Sequence, residues 1–143
     1  MPRDSESKFY IDECLDSDHF IDPLRGGGLK VVRHREMLEW GVPDEVWIRE
    51  VSKAGYFVIT EDYKIMRNAN QSELIMNNRL GLFIVRCKGS SHSEKGKLVV
   101  QNSAKLLRFI KKNSRPFIAT ITRSGVNGRR PRDRNWGQKY LES

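Results

Sequence analysis

Three pairs of carboxylates carry the chemistry open to this sequence: Asp12 and Glu13, Asp44 and Glu45, and Glu61 and Asp62, the last pair directly after Thr60. Taken singly, acids in such positions are equally well explained as helix caps and turn residues. Brought to one place they would repel one another and raise their own pKa values unless a cation stood between them. Carboxylate oxygens suit a hard divalent ion, Mg²⁺ or Mn²⁺. Such an ion generates a hydroxide nucleophile and stabilises charge developing on a phosphodiester, so hydrolysis of nucleic acid is the expected reaction. Whether the pairs meet depends on the elements that carry them.

FYID (9–12) is a short apolar run ending in an acid and reads as a first strand. DSDHFIDPLR (16–25) starts like a helix, is limited by Pro23, and closes at a Gly triplet; LKVVRH (29–34) gives a second strand, followed by a connector. PDEVWIREVSKAG (43–55) has Pro in its first turn, acids at the positive end of the helix dipole and Gly55 as terminator. Strands are expected at 56–60, 82–87 and 116–123, a short helix at 70–81, and one longer amphipathic helix at 98–113. This alternation predicts an α/β fold with a mostly parallel sheet. In such a sheet ligands gather beyond the carboxyl ends of the strands. Asp12 ends the first strand, Thr60 to Asp62 follow the third, and Asp44 opens a helix running back antiparallel to the strands, so all three pairs belong to one rim. The two-residue period of a strand puts Asp12 and Glu13 on opposite faces, and Asp12 ends the apolar run. Asp44 shares a helical stripe with Ile48 and Val51, while Glu45 aligns with Arg49 and Ser52. Asp12, Asp44 and Asp62 are therefore the primary metal and catalytic candidates, with Glu13 and Glu61 as further ligands.

The charge distribution supports a polyanionic partner. Residues 1–85 carry 11 Lys and Arg against 15 Asp and Glu, whereas residues 86–143 carry 15 against 3, and the whole chain is +8. A cationic half beside an acidic one suits a phosphodiester substrate, although a solvated surface with a basic tail explains the asymmetry equally well. Thr60 is placed to donate a hydrogen bond to an acid or a water, and Arg67 beside Asn68 to hold a phosphate with its planar fork. Arg129, Arg130 and Arg132 precede Trp136 and Tyr140, a mixture suited to single-stranded RNA or to packing against a partner. His19, His34 and His92 show no metal spacing, and Cys14 and Cys87 read as free thiols of a reducing compartment. GxxxxGK[ST] and GxGxxG are absent, which argues against nucleotide-cofactor chemistry. No run approaches the roughly 18 apolar residues of a membrane span, and the start lacks a secretory apolar region, so a soluble cytoplasmic protein is expected, away from membranes.

FYIDE, PDEVWI, VITED followed by RN, and RPFIATITRSG, in that order over roughly residues 8–124, resemble the PIN-like ribonuclease family and specifically its small VapC-type toxin branch. The resemblance implies a three-layer sandwich with a parallel sheet of order 3-2-1-4-5 flanked by helices. It implies an acidic Mg²⁺ or Mn²⁺ site built from Asp12, Asp44 and Asp62, an endoribonuclease activity, a cognate antitoxin and a homodimer. Most members are similar in carrying Glu on the helix and a fourth acid later; here the helix residue is Asp44, and the fourth is Glu61, Glu73 or none. The PIN-like domain is expected over 1–124 and a basic tail over 125–143. Two rival readings are a non-catalytic RNA-binding module of the same fold and a phosphoacceptor receiver domain, which would want a Lys where the last strand runs into Thr122 and Arg123.

Overall fold

A computed structural model describes residues 7–129. Six strands form one sheet in the order β2-β1-β3-β4-β5-β6. They are β1 (Lys8–Ile11), β2 (Lys30–Arg33), β3 (Phe57–Thr60), β4 (Gly81–Val85), β5 (Phe117–Thr122) and β6 (Gly125–Arg129), and only β6 is antiparallel to its neighbour. Six helices complete the fold: α1 (Asp18–Gly26), α2 (His34–Met37), α3 (Asp44–Ala54), α4 (Ala69–Asn77), α5 (His92–Gln101) and α6 (Ser103–Lys112). Short 3-10 turns follow β1 (Glu13–Leu15) and β3 (Tyr63–Arg67).

Strand side chains alternate between two cores because successive residues point to opposite faces. Phe9, Ile11, Phe57, Ile59, Phe83, Val85 and Phe117 meet α1, α5 and α6 on one face. Tyr10, Val58, Leu82, Ile84 and Ile118 meet α3 and α4 on the other. Helices on both faces bury most of the parallel strands, which accounts for their near-continuous apolar composition. The first face holds an aromatic stack in which Phe83 and Phe109 pack on Phe117 at centroid distances of 5.3 and 5.0 Å, and Phe57 lies 6.0 Å from Phe9. Each such pair contributes about 0.5–1.5 kcal/mol beyond its buried area.

The strand order places β1 between β2 and β3, where the family resemblance implies 3-2-1-4-5. The physical reason lies in the chain between Arg33 and Phe57. It forms the short α2 and then α3, which leaves no apolar run to extend the sheet beyond β2. The next strand therefore docks on the free side of β1, with Phe9 opposite Phe57 and Ile11 opposite Ile59. The result is a switch point between β1 and β3, where connections leave in opposite directions and a crevice opens at the carboxyl ends.

Three local expectations change. The single helix expected at 98–113 is two, α5 and α6, broken at Asn102. Its buried side-chain amide donates to the Leu98 carbonyl at 2.9 Å and to the Thr122 carbonyl at 3.4 Å, tying the break to the end of β5. The helix also begins earlier, at a capping box in which the Ser91 hydroxyl accepts from the Glu94 N–H and the Glu94 carboxylate accepts from the Ser91 N–H. Finally, the stretch from Gly125, expected as a basic tail, opens with β6. A tight turn at Arg123 and Ser124, with Gly125 at φ 132°, returns the chain onto β5, where backbone pairing holds it and Val126 packs against the core. α1 runs through Pro23, whose ring packs closely against α5 at Gly96. Among the described residues no helix is long and apolar enough to cross a membrane.

Candidate active site at the ends of β1 and β3

Asp12 leaves β1 as the chain turns into Glu13–Leu15, and its half-buried carboxylate is held from two sides. One oxygen accepts from the Glu13 N–H at 2.8 Å; the other accepts from the Thr60 hydroxyl at 2.7 Å. The same Thr60 oxygen accepts from the Asp62 N–H at 3.1 Å, so one hydroxyl at the end of β3 joins the Asp12 carboxylate to the Asp62 backbone. Asp62 in turn caps the following 3-10 turn by accepting from the Lys64 N–H at 3.1 Å. Burial pushes the Asp12 carboxyl above its usual range. The charge of Asp62 pushes the same way, and the hydrogen bonds from Thr60, Glu13 and Cys14 offset part of the rise. The Asp12 carboxylate, raised by burial and by the charge of Asp62 beside the strand switch point, is the electrostatic centre of this rim.

Cys14 lies against the same group, its sulfur 3.5 Å from both the Asp12 carboxylate and the Thr60 hydroxyl. Burial of that sulfur and the Asp12 charge push the thiol up to about 12, so it stays protonated and is a poor nucleophile.

The remaining candidates are engaged elsewhere. Asp44 opens α3 at the rim, half-buried, but one of its oxygens accepts from the Trp47 indole N–H at 2.9 Å and the other from the Gln71 amide at 2.5 Å. Glu13 turns toward the connector before α3, accepting from the Gly41 N–H at 3.0 Å with His34 at 3.3 Å. Glu61 forms an ion pair with Lys95 of α5 at 2.6 Å. Asn68 caps α4 by accepting from the Gln71 N–H at 3.0 Å, and Arg67 lies over the Tyr63 ring at 5.2 Å. Arg129 ends β6; Arg130, Arg132, Trp136 and Tyr140 lie outside the described residues. Among the described residues, no group of three or more His, Cys, Asp or Glu side chains gathers as a metal cage.

The donor set nonetheless fits a hard divalent ion. Such an ion commonly takes one or two carboxylates and keeps several waters, and a cation beside Asp12 would favour the charged form that burial, and to a smaller extent Asp62, disfavours. The Thr60 hydroxyl fixes the carboxylate from behind, as supporting groups do at metal sites.

A second constellation was not anticipated from the sequence. Beyond the ends of β3 and β4, and over the faces of β5 and β6, lies an open cavity of about 810 Å³ whose wall includes Glu61, Tyr63, Arg86, Lys88, Lys95 and Arg129. Lys95 reaches it because the Ser91 capping box starts α5 early enough to set Lys95 in the opening turns of the helix. That Ser-x-x-Glu pattern was the legible signal.

His34, buried under the β1 end, donates from Nε2 to the Glu39 carbonyl at 2.7 Å. Its Nδ1 therefore accepts from the Tyr10 hydroxyl at 2.6 Å, a packing role.

No curated protein and no solved structure matches the chain. A family model described as a PIN-like domain matches residues 7–87. The matched stretch takes in β1 to β4, and with them Asp12, Thr60 and Asp62, over more than half of the sequence. On that match, and on a mostly parallel sheet that gathers acids beyond β1 and β3, the chain belongs to the PIN-like domain family, with a fold of the nuclease type.

Proposed function

We propose that the protein is a metal-dependent endoribonuclease that cleaves RNA phosphodiester bonds and serves as the toxin of a toxin–antitoxin pair. The observation that carries this reading is the Asp12 carboxylate held by the Thr60 hydroxyl at the strand switch point, near enough to Asp62 to feel its charge. In this reading Asp12 and Asp62 hold Mg²⁺ or Mn²⁺. Asp44 joins them only by releasing Gln71, and Glu61 only by releasing Lys95. The ion, when bound, supplies a hydroxide nucleophile near neutral pH and offsets charge developing on the phosphodiester. Thr60 keeps the Asp12 carboxylate aimed at the crevice, and the cations on the β4 to β6 side draw the RNA backbone across it. The toxin role adds two partners, a small antitoxin that covers the rim and a second copy of the chain. The exposed Trp40, which is 56% accessible and lies beside Arg35, offers an apolar anchor for either.

The test is cleavage of a labelled single-stranded RNA with Mg²⁺, with Mn²⁺ and with EDTA. Cutting is expected only with a divalent ion, and Asp12→Asn and Asp62→Asn are expected to reduce it to background. Thr60→Val, which keeps the shape and removes the hydroxyl, is expected to weaken metal affinity or rate by about 10–100-fold. Full cutting by the folded Asp12→Asn protein would end the proposal.

One observation favours a second reading, a non-catalytic RNA-binding module: Asp44 is turned to Trp47 and Gln71, and among the described residues it does not gather with Asp12 and Asp62 as a group of three. That protein would bind RNA in a salt-sensitive way, with no turnover and no response to metal.

A further inference from the structure

The cavity beyond β3 and β4 adjoins the acidic crevice through Glu61 and Tyr63, which lie on either side of Asp62 in sequence. Its chemistry is the opposite of the crevice. Arg86 and Lys88, just after β4, are exposed at its mouth, and among the described residues no carboxylate pairs with either. Lys95, largely buried, stands deeper with its ammonium anchored by Glu61, and Arg129 contributes from the edge strand. Two exposed cations without counter-ions, over a floor that holds a third, form a seat for an anion.

The Arg86 guanidinium also has a defined support. It lies over the Tyr63 ring, 4.7 Å from its centroid. A guanidinium stacked on an aromatic ring can still present its other planar face and its N–H fork. A nucleic-acid base stacks on such planes as it does on aromatic rings, but only when it is free of its own duplex. A cavity of about 810 Å³ has room for nucleotide-sized ligands, which lies within the usual range for ligand sites.

We infer that this cavity holds the nucleotide next to the bond placed at Asp12 and Asp62, with Lys88 and Arg86 on its phosphate and the Tyr63-backed plane of Arg86 under its base. The inference rests on the nuclease reading for the identity of the bond, and it makes the substrate single-stranded. Arg86 and Lys88 are then positioning and specificity residues that never touch the reacting atoms. The strand runs from the crevice between β1 and β3 past the end of β4 and onto the face of β5 and β6.

The experiment measures fluorescence anisotropy of a labelled single-stranded RNA with the full chain in EDTA, so that binding is read without turnover. The variants are Arg86→Ala, Lys88→Ala, their combination and Arg86→Lys, with Lys53→Ala on the far end of α3 as an equal change of charge. The double variant is expected to lose affinity about tenfold or more, and Lys53→Ala less than about twofold. Arg86→Lys, which keeps the charge and loses the plane, is expected to bind more weakly than wild type at every salt concentration. A duplex of the same sequence is expected to bind more weakly than the single strand. Unchanged affinity in the double variant, or equal binding of duplex and single strand, overturns the inference. So does an acidic peptide that binds with the same dependence on Arg86, since the cavity would then take a protein segment. If wild type fails to cut with Mn²⁺ while RNA binding still depends on Arg86 and Lys88, the nuclease reading falls and the cavity stands as a single-strand site.

Discussion

Removing the charge of Asp12 should cost the activity and stabilise the fold. Its folded carboxyl is raised by burial and by Asp62, so the native state prefers the protonated form more than the unfolded chain does. The associated stability is fully present below the unfolded value of about 4 and is lost as pH rises through the raised folded value. At pH 7 the ionised group is therefore a burden, and Asp12→Asn is expected to raise Tm by a few degrees, a gain that shrinks in acid. Scanning calorimetry from pH 3 to 8 checks this. Asp16 is the opposite case. Burial alone would raise its carboxyl, but bonds from the Arg33 and Arg35 side chains and the Arg35 N–H outweigh it and hold the group below the usual range. Its contribution is present above the unfolded value and lost as pH falls through the depressed one. With the Asp16 side chain fully buried and Arg33 only 11% exposed, Asp16→Ala leaves a buried cation short of its partner and should cost about 3–5 kcal/mol in urea unfolding at pH 7. Asp12, Thr60 and Asp62 were legible because an acid or hydroxyl ending an apolar strand has one place to go. Asp44 and Glu13 were harder, since their partners Gln71 and Gly41 are set by tertiary packing that spacing along one element does not reveal.

At the scale of elements, α1 and α5 meet in a close joint at Gly96. A Cβ built on Gly96 would stand 2.8 Å from the Phe20 carbonyl oxygen and 3.1 Å from the Pro23 ring. Gly96→Ala must therefore push the two helices apart despite Ala being the better helix former, and a loss of about 1–3 kcal/mol is expected, read as a lower urea midpoint. The same joint explains why α5 was hard to see. Its helix–helix face uses a glycine instead of an apolar side chain, so the 3.6-residue pattern is weak until Leu98 and Val99. The five parallel strands, by contrast, were visible as apolar runs bounded by turn residues. β6 was not, because an edge strand held by backbone bonds to β5 carries no such run. β5 closes on Thr122 and Arg123, and Arg123 reaches Ser90 at 3.4 Å, which leaves the phosphoacceptor reading without the lysine it needs there.

Across the whole molecule, the opposed charges of the two halves of the sequence become neighbours in space. Acids from β1 and β3 sit next to cations that follow β4, open α5 and end β6. The hydrogen bond at the heart of the crevice joins residues 48 positions apart, across the parallel β1–β3 pair. Such pairing closes only after a long loop has been ordered. In a urea titration, RNA cleavage and the intrinsic fluorescence of buried Trp47 should therefore disappear at the same midpoint; activity that outlived the sheet would show a locally built site instead. A chain still leaving the ribosome, or one half melted, then lacks the Asp12–Thr60 pair altogether, and only finished copies carry an assembled rim.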